Sequence, residues 1–115
     1  MKTLEKRLFH LFDPADVAKA RTITPAVLAT PRVGQVRATV VEGDESHEVL
    51  LELSAHRRGG MTLETKSSTT AGKAGRPCAI LAAVLLEVDR RGLLASIHDQ
   101  TPLDLDIVAD EPPEA

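Results

Sequence analysis

The chain's single cysteine, Cys78, follows the loop Gly72-Lys73-Ala74-Gly75-Arg76-Pro77 and precedes the apolar run Ala79-Ile80-Leu81-Ala82-Ala83-Val84-Leu85-Leu86. Two chemistries could use a thiol there. A helix N-terminus beside Arg76 favours a reactive thiolate, but no histidine lies near in sequence to serve as its base. Zinc would need four thiolate or imidazole donors held close together. The four histidines, His10, His47, His56 and His98, are scattered along the chain and read as solvated surface groups; a set built from His56, His98 and Cys78 is the remaining metal alternative. Gly72-Lys73-Ala74-Gly75-Arg76 lacks the full phosphate-loop pattern and follows no buried parallel strand, so it reads as a plain loop. Asp104 and Asp106 alternate near an acidic end and read as a solvated edge. With no paired carboxylates at useful spacing, no nucleophile beside a base and no complete metal set, the residues point away from an enzyme and imply no cofactor.

Binding is the alternative to catalysis. Net charge is -3, but it is distributed in blocks: residues 36–56 are acidic, 57–91 basic and 92–115 acidic. Arg57, Arg58, Lys66, Lys73 and Arg76 come from a turn, a strand end and the following loop, and could gather on one rim to contact phosphates. The chain has no Tyr or Trp, and Phe9 and Phe12 are its only aromatic residues. Both are expected in the core, which removes the stacking that single-strand binders use. Arg90 and Arg91 most simply complement the carboxyl end of a helix.

These residues need a scaffold, and 115 residues suffice for one domain with a modest core. Leu4, Leu8, Leu11 and Phe12 fall at helical spacing, and Asp13-Pro14 offers a cap followed by proline at the first helical position. The spacing predicts two short helices within 3–21. Pro25, Pro31 and Gly34 mark 22–35 as a connector with at most a turn of helix at 26–28. Alternation then predicts strands at 35–42 and 47–54 around a turn at Gly43-Asp44-Glu45-Ser46, and a third at 61–66 after Arg57-Arg58-Gly59-Gly60. A covering helix is expected over 77–91, with Cys78, Leu81, Ala82, Leu85 and Val88 in one stripe and Gly92 as its stop. Leu103, Leu105 and Ile107 alternate with Asp104 and Asp106, which allows a docked edge strand within a segment, 99–115, that otherwise reads as an acidic tail or linker. The expected fold class is α+β: N-terminal helices, a three-stranded antiparallel sheet and a covering helix, in one domain over 1–98.

No apolar run approaches the roughly 20 residues of a membrane span, and Met1-Lys2-Thr3-Leu4-Glu5-Lys6-Arg7 lacks the apolar stretch of a signal peptide. One cysteine allows no internal disulfide. A cytoplasmic location is therefore expected, with no membrane partner.

Three strands, a small polar loop and a helix opening Pro77-Cys78 together resemble the SWIM-type zinc finger. With Leu11-Phe12-Asp13-Pro14 in front, the order resembles the SWIM-bearing N-terminal region of bacterial helicase-like ATPases of the SWI/SNF kind, over roughly residues 8–92. The resemblance implies a ββα-type core and zinc ligands in the pattern Cys-x-Cys, then Cys-x-His. Here the first pair would fall in Lys66-Ser67-Ser68-Thr69-Thr70, which has no cysteine; of the second only Cys78 remains, with Ile80 in the histidine's position. A hydroxyl is a poor zinc donor and isoleucine is none, so no zinc is expected, and Cys78 is expected to pack as a small hydrophobe. The implied role is a non-catalytic interaction module, an accessory region or free-standing relative of a remodelling ATPase that contacts a protein partner or a following motor domain. Weak, sequence-indifferent DNA binding through the basic rim is the alternative.

Overall fold

A computed structural model describes residues 8–25, 27–32, 34–55, 60–69, 75–92 and 103–108. Asp13 caps the first helix, α1 (Pro14–Ala20), its Oδ1 accepting the Ala15 N–H at 2.9 Å. Pro14 fills the first helical position, where a missing N–H costs nothing. A single 3₁₀ turn, Phe9–Leu11, precedes it. It brings Phe9 and Phe12 together with ring centroids 5.4 Å apart, and Phe12 is buried.

Five strands follow the order β1-β2-β3-β4-β5 in one sheet. They are β1 (Val27–Arg32), β2 (Gln35–Glu42), β3 (Glu45–Ala55), β4 (Met61–Ser67) and β5 (Leu103–Ile107). The first four pair antiparallel, and β5 joins β4 in parallel. The expected three-stranded antiparallel sheet is thus corrected to a five-stranded mixed one. Both added strands were obscured by local signals. Val27–Arg32 follows Pro25 and contains Pro31, and so reads as a connector; as an edge strand with irregular pairing between Ala29 and Arg32 it tolerates a residue lacking an N–H. Gly34, at φ 79, turns the chain from β1 into β2, and its carbonyl accepts the Leu53 N–H at 2.8 Å. β5 lies in the acidic end, where the same alternation that allows an edge strand is surrounded by linker-like composition.

The second helix, α2 (Ala79–Arg91), explains why β5 is parallel. A chain leaving β4 can re-enter alongside it in the same direction only after a crossover, and α2 lies on that crossover. Gly92, at φ 65, ends α2 in the left-handed conformation, its N–H bonding back to Asp89 and Val88 carbonyls. The helix packs on β2 and β3 and is itself packed by α1. Its burial is not a single stripe: Ala79, Ile80, Ala83 and Val84 are buried along with Leu81, Ala82, Leu85 and Val88. That follows from a segment apolar at successive positions, which must be enclosed on several sides. The helix starts two residues later than expected, leaving Cys78 outside it as the N-cap.

The core lies between α2 and one face of the sheet. Val36, Ala38, Val40, Val49, Leu51 and Leu63 point into it, joined by Leu8 and Phe12. Among the described residues no helix is long and apolar enough to cross a membrane.

Candidate interaction surface

Two places in the fold bring potentially functional side chains together. The first is the N-terminus of α2. Cys78 is half-buried, and its sulfur accepts the Leu81 N–H at 3.5 Å, satisfying one of the free donors that a helix start leaves. Thr69 Oγ1 lies 3.7 Å from the same sulfur, and Ser67 Oγ lies 2.8 Å from Thr69 Oγ1. The end of β4 is therefore tied to the start of α2 by a chain of two hydroxyls and a thiol. Ile80 is buried in the core. Cys78 accordingly acts as a helix cap packed against the core, not as a residue of the helix's buried stripe. Backbone pairing extends the β3–β4 ladder beyond β4: the Ser68 N–H donates to the Glu48 carbonyl, and the Glu48 N–H donates to Ser68 Oγ, both at 2.9 Å.

The second place is the sheet face turned away from α2. Strand register puts side chains there in rows. Arg37, Leu50 and Lys66 are neighbours across β2, β3 and β4. Two residues along, Gln35, Glu52, Glu64 and Asp106 are neighbours across β2 to β5. Gln35 Nε2 donates to Glu52 Oε2 at 3.3 Å. Three carboxylates thus stand on adjacent strands, where opposed side chains are about 5 Å apart at Cβ. In the next row Thr62 faces Asp104. Among the described residues no cation pairs with Glu64, Asp104 or Asp106. At the basic end, Arg37, Glu48, Val49, Leu50, Lys66, Ser67 and Ser68 line an open groove of about 470 Å³.

The expected basic rim is placed only in part. Lys66 is exposed on the outer face of β4, and Arg76 is exposed ahead of α2. Arg57, Arg58 and Lys73 lie outside the described residues, as do His56 and His98. His10 is exposed, and His47 Nε2 sits 3.5 Å from the Glu45 carboxylate. Among the described residues no three His, Cys, Asp or Glu side chains are close enough to hold a metal ion. Arg90 and Arg91 have a more specific role than neutralising a helix end. Both bond to the buried Glu87 carboxylate, Arg90 through two nitrogens and Arg91 through Nε at 2.6 Å. The Arg90 hydrogen bonds lower the Glu87 pKa; burial opposes this, and Arg91 reinforces it.

Sequence reasoning missed Arg37 and the carboxylate row. The alternation of Glu52, Glu64 and Asp106 with apolar neighbours is a visible signal, but their meeting depends on the register of two strand pairs, one of them parallel. No family model, curated protein or solved structure matches the chain.

Proposed function

We propose that the chain is a non-catalytic interaction module: a SWIM-like domain without its metal, accessory to or derived from a helicase-like remodelling ATPase, whose sheet contacts a protein partner. The observation that carries the interaction reading is the outer sheet face, where, among the described residues, no cation pairs with Glu64, Asp104 or Asp106. In a structure whose other sheet face is enclosed by α2, such a surface is suited to a charged partner. The metal-free reading is supported by Ser67, Thr69 and Cys78, which meet where the resemblance calls for Cys-x-Cys and Cys-x-His donors. Hydroxyl and thiol hydrogen bonds there join strand to helix, the job zinc does in a closed structural site.

A protein partner is favoured over nucleic acid because Glu52, Glu64, Asp104 and Asp106 share the face with Arg37 and Lys66, and their charge repels phosphates. The test is titration of a fluorescent DNA duplex and a single strand at two salt concentrations, with zinc measured on the same sample. The expected result is zinc far below stoichiometric and no saturable DNA binding at physiological salt. Stoichiometric zinc would overturn the metal-free reading. DNA binding that falls steeply with salt, and is lost when Arg57, Arg58 and Lys73 are changed to glutamate, would replace the protein-contact reading with the nucleic-acid one.

A further inference from the structure

The edges of the sheet differ in what they can accept. β1 has Pro31 and irregular pairing, both of which discourage an added strand. β5 has no proline, and all its residues from Leu103 to Ile107 hold continuous register with β4. Among the described residues, no strand pairs with its outer edge.

The backbone phase of β5 is set by one hydrogen bond. The Val108 N–H donates to the Thr65 carbonyl at 2.8 Å. Because successive strand residues direct their amide groups to opposite sides, the backbones of Asp104 and Asp106 face β4 with that of Val108. The N–H and C=O groups of Leu103, Leu105 and Ile107 therefore face outward. Side chains alternate along the other axis. Leu103, Leu105 and Ile107 are half-buried and packed against the core cluster, while Asp104 and Asp106 are exposed on the open face.

An added strand would meet three demands together: open backbone donors and acceptors, an apolar side continuing Leu105, and carboxylates on the other side. A second copy of β5 meets them poorly, since pairing the two edges would bring Asp104 and Asp106 of each chain against one another, and like charges facing across strands are destabilising. A strand bearing lysine or arginine at alternate positions meets all three, and would extend the row Glu52, Glu64, Asp106 with the opposite charge.

We propose that the outer edge of β5 receives an extended segment of a partner protein, alternating apolar and cationic residues, as a sixth strand of the sheet. This rests on the protein-contact reading above and names the partner's chemistry and place of attachment. Main-chain bonds to Leu103, Leu105 and Ile107 supply affinity, and Asp104 and Asp106 supply the selection for positive charge.

The experiment uses the full 115-residue chain with two labelled nine-residue peptides, one alternating valine with lysine and one alternating valine with glutamate. Binding is followed by fluorescence anisotropy and by amide NMR spectra. The lysine peptide is expected to bind, to shift the Leu103, Leu105 and Ile107 amides and to slow their hydrogen exchange; the glutamate peptide is expected not to bind. Changing both aspartates (D104K/D106K) should weaken the lysine peptide about tenfold or more and admit the glutamate peptide. These side chains are exposed, so the folded spectrum should persist. Leu105→Pro removes an outward N–H without removing a bond to β4, and should weaken the lysine peptide. Failure of the lysine peptide to bind, insensitivity to D104K/D106K, or shifts confined to Arg37, Leu50, Glu52 and Glu64 would overturn the edge proposal and leave the module reading standing. Salt-steep DNA binding through the rim would overturn the module reading itself.

Discussion

Across β3 and β4, Leu53 stands opposite Leu63 on the face covered by α2; one residue along, Glu52 stands opposite Glu64 on the open face. The same register creates both pairs, so the enclosed core and the row of like charge have a common origin. A slip of one residue would exchange them, placing carboxylates under α2 and leucines in water. Register is therefore held by the core, and the arrangement of charges on the open face follows from it. Burial admits polar groups only on strict terms, and two of them make a contrast: Glu87 on α2, which is well partnered, and Thr65 on β4, which is not.

The largest expected effect comes from the covered face. Leu85 is fully buried on α2, and Leu85→Ala should cost about 2–5 kcal/mol through lost burial and the cavity left behind. Urea unfolding should show the midpoint falling by a corresponding amount. A change below about 1 kcal/mol would mean that α2 does not close the core, and the contrast between the faces would fail.

Glu87 is the partnered polar group. Its side chain is 7% exposed and held by Arg90 and Arg91, both of which reach solvent. Glu87→Ala should cost about 2 kcal/mol, in the range for hydrogen bonds to a charged group. The pH dependence has a definite sign. Because Arg90 lowers the folded-state pKa of Glu87, the stabilisation is fully present above the unfolded carboxylate pKa of about 4.3, and is lost as the pH falls through the lowered folded value. The melting-temperature gap between the chain and Glu87→Gln should be constant near neutrality and shrink on acidification. A gap that widened in acid would contradict the clamp.

Thr65 is the other case. It is 1% exposed, and among the described residues its Oγ1 has no hydrogen-bond partner. A buried hydroxyl without a partner costs about 1–3 kcal/mol of desolvation, so Thr65→Val, which keeps the branched shape, should stabilise the fold by about 1 kcal/mol. Loss of stability on this substitution would show that the hydroxyl is engaged.

What could be read from residues alone divides along the same faces. The β2–β3 hairpin, β4, the Asp13 cap and the Gly92 stop are local: alternation, a glycine-led turn or a single capping residue signals each of them. β1 was hidden by Pro25 before it and Pro31 within it, since a proline suited to an edge strand looks the same as one in a connector. The two-step link from Ser67 through Thr69 to Cys78 spans a loop, and the residues suggest only that the end of β4 and the start of α2 should meet. The carboxylate row was least legible, because Glu52, Glu64 and Asp106 are far apart in the chain and become neighbours only through two successive strand pairings.

That row yields the smallest effect and the closest test of the open face. Glu64 stands between Glu52 and Asp106, with like charge on both sides. At a separation of ~7 Å in water each such pair repels by about 0.6 kcal/mol, and salt reduces it. Glu64→Thr removes both repulsions and places a β-branched residue in the middle of a strand. It should therefore stabilise the chain by a few tenths of a kcal/mol to about 1 kcal/mol at low salt, with the charge-dependent part of the gain shrinking as salt rises. Paired urea titrations of the chain and the variant at low and high ionic strength measure it. A gain that appears at low salt and fades at high salt would identify unrelieved repulsion on the open face, the condition that a cationic partner strand would relieve. A loss of stability, or a gain indifferent to salt, would mean that the carboxylates already have sufficient compensation and that the open face does not carry the charge imbalance on which its proposed partner depends.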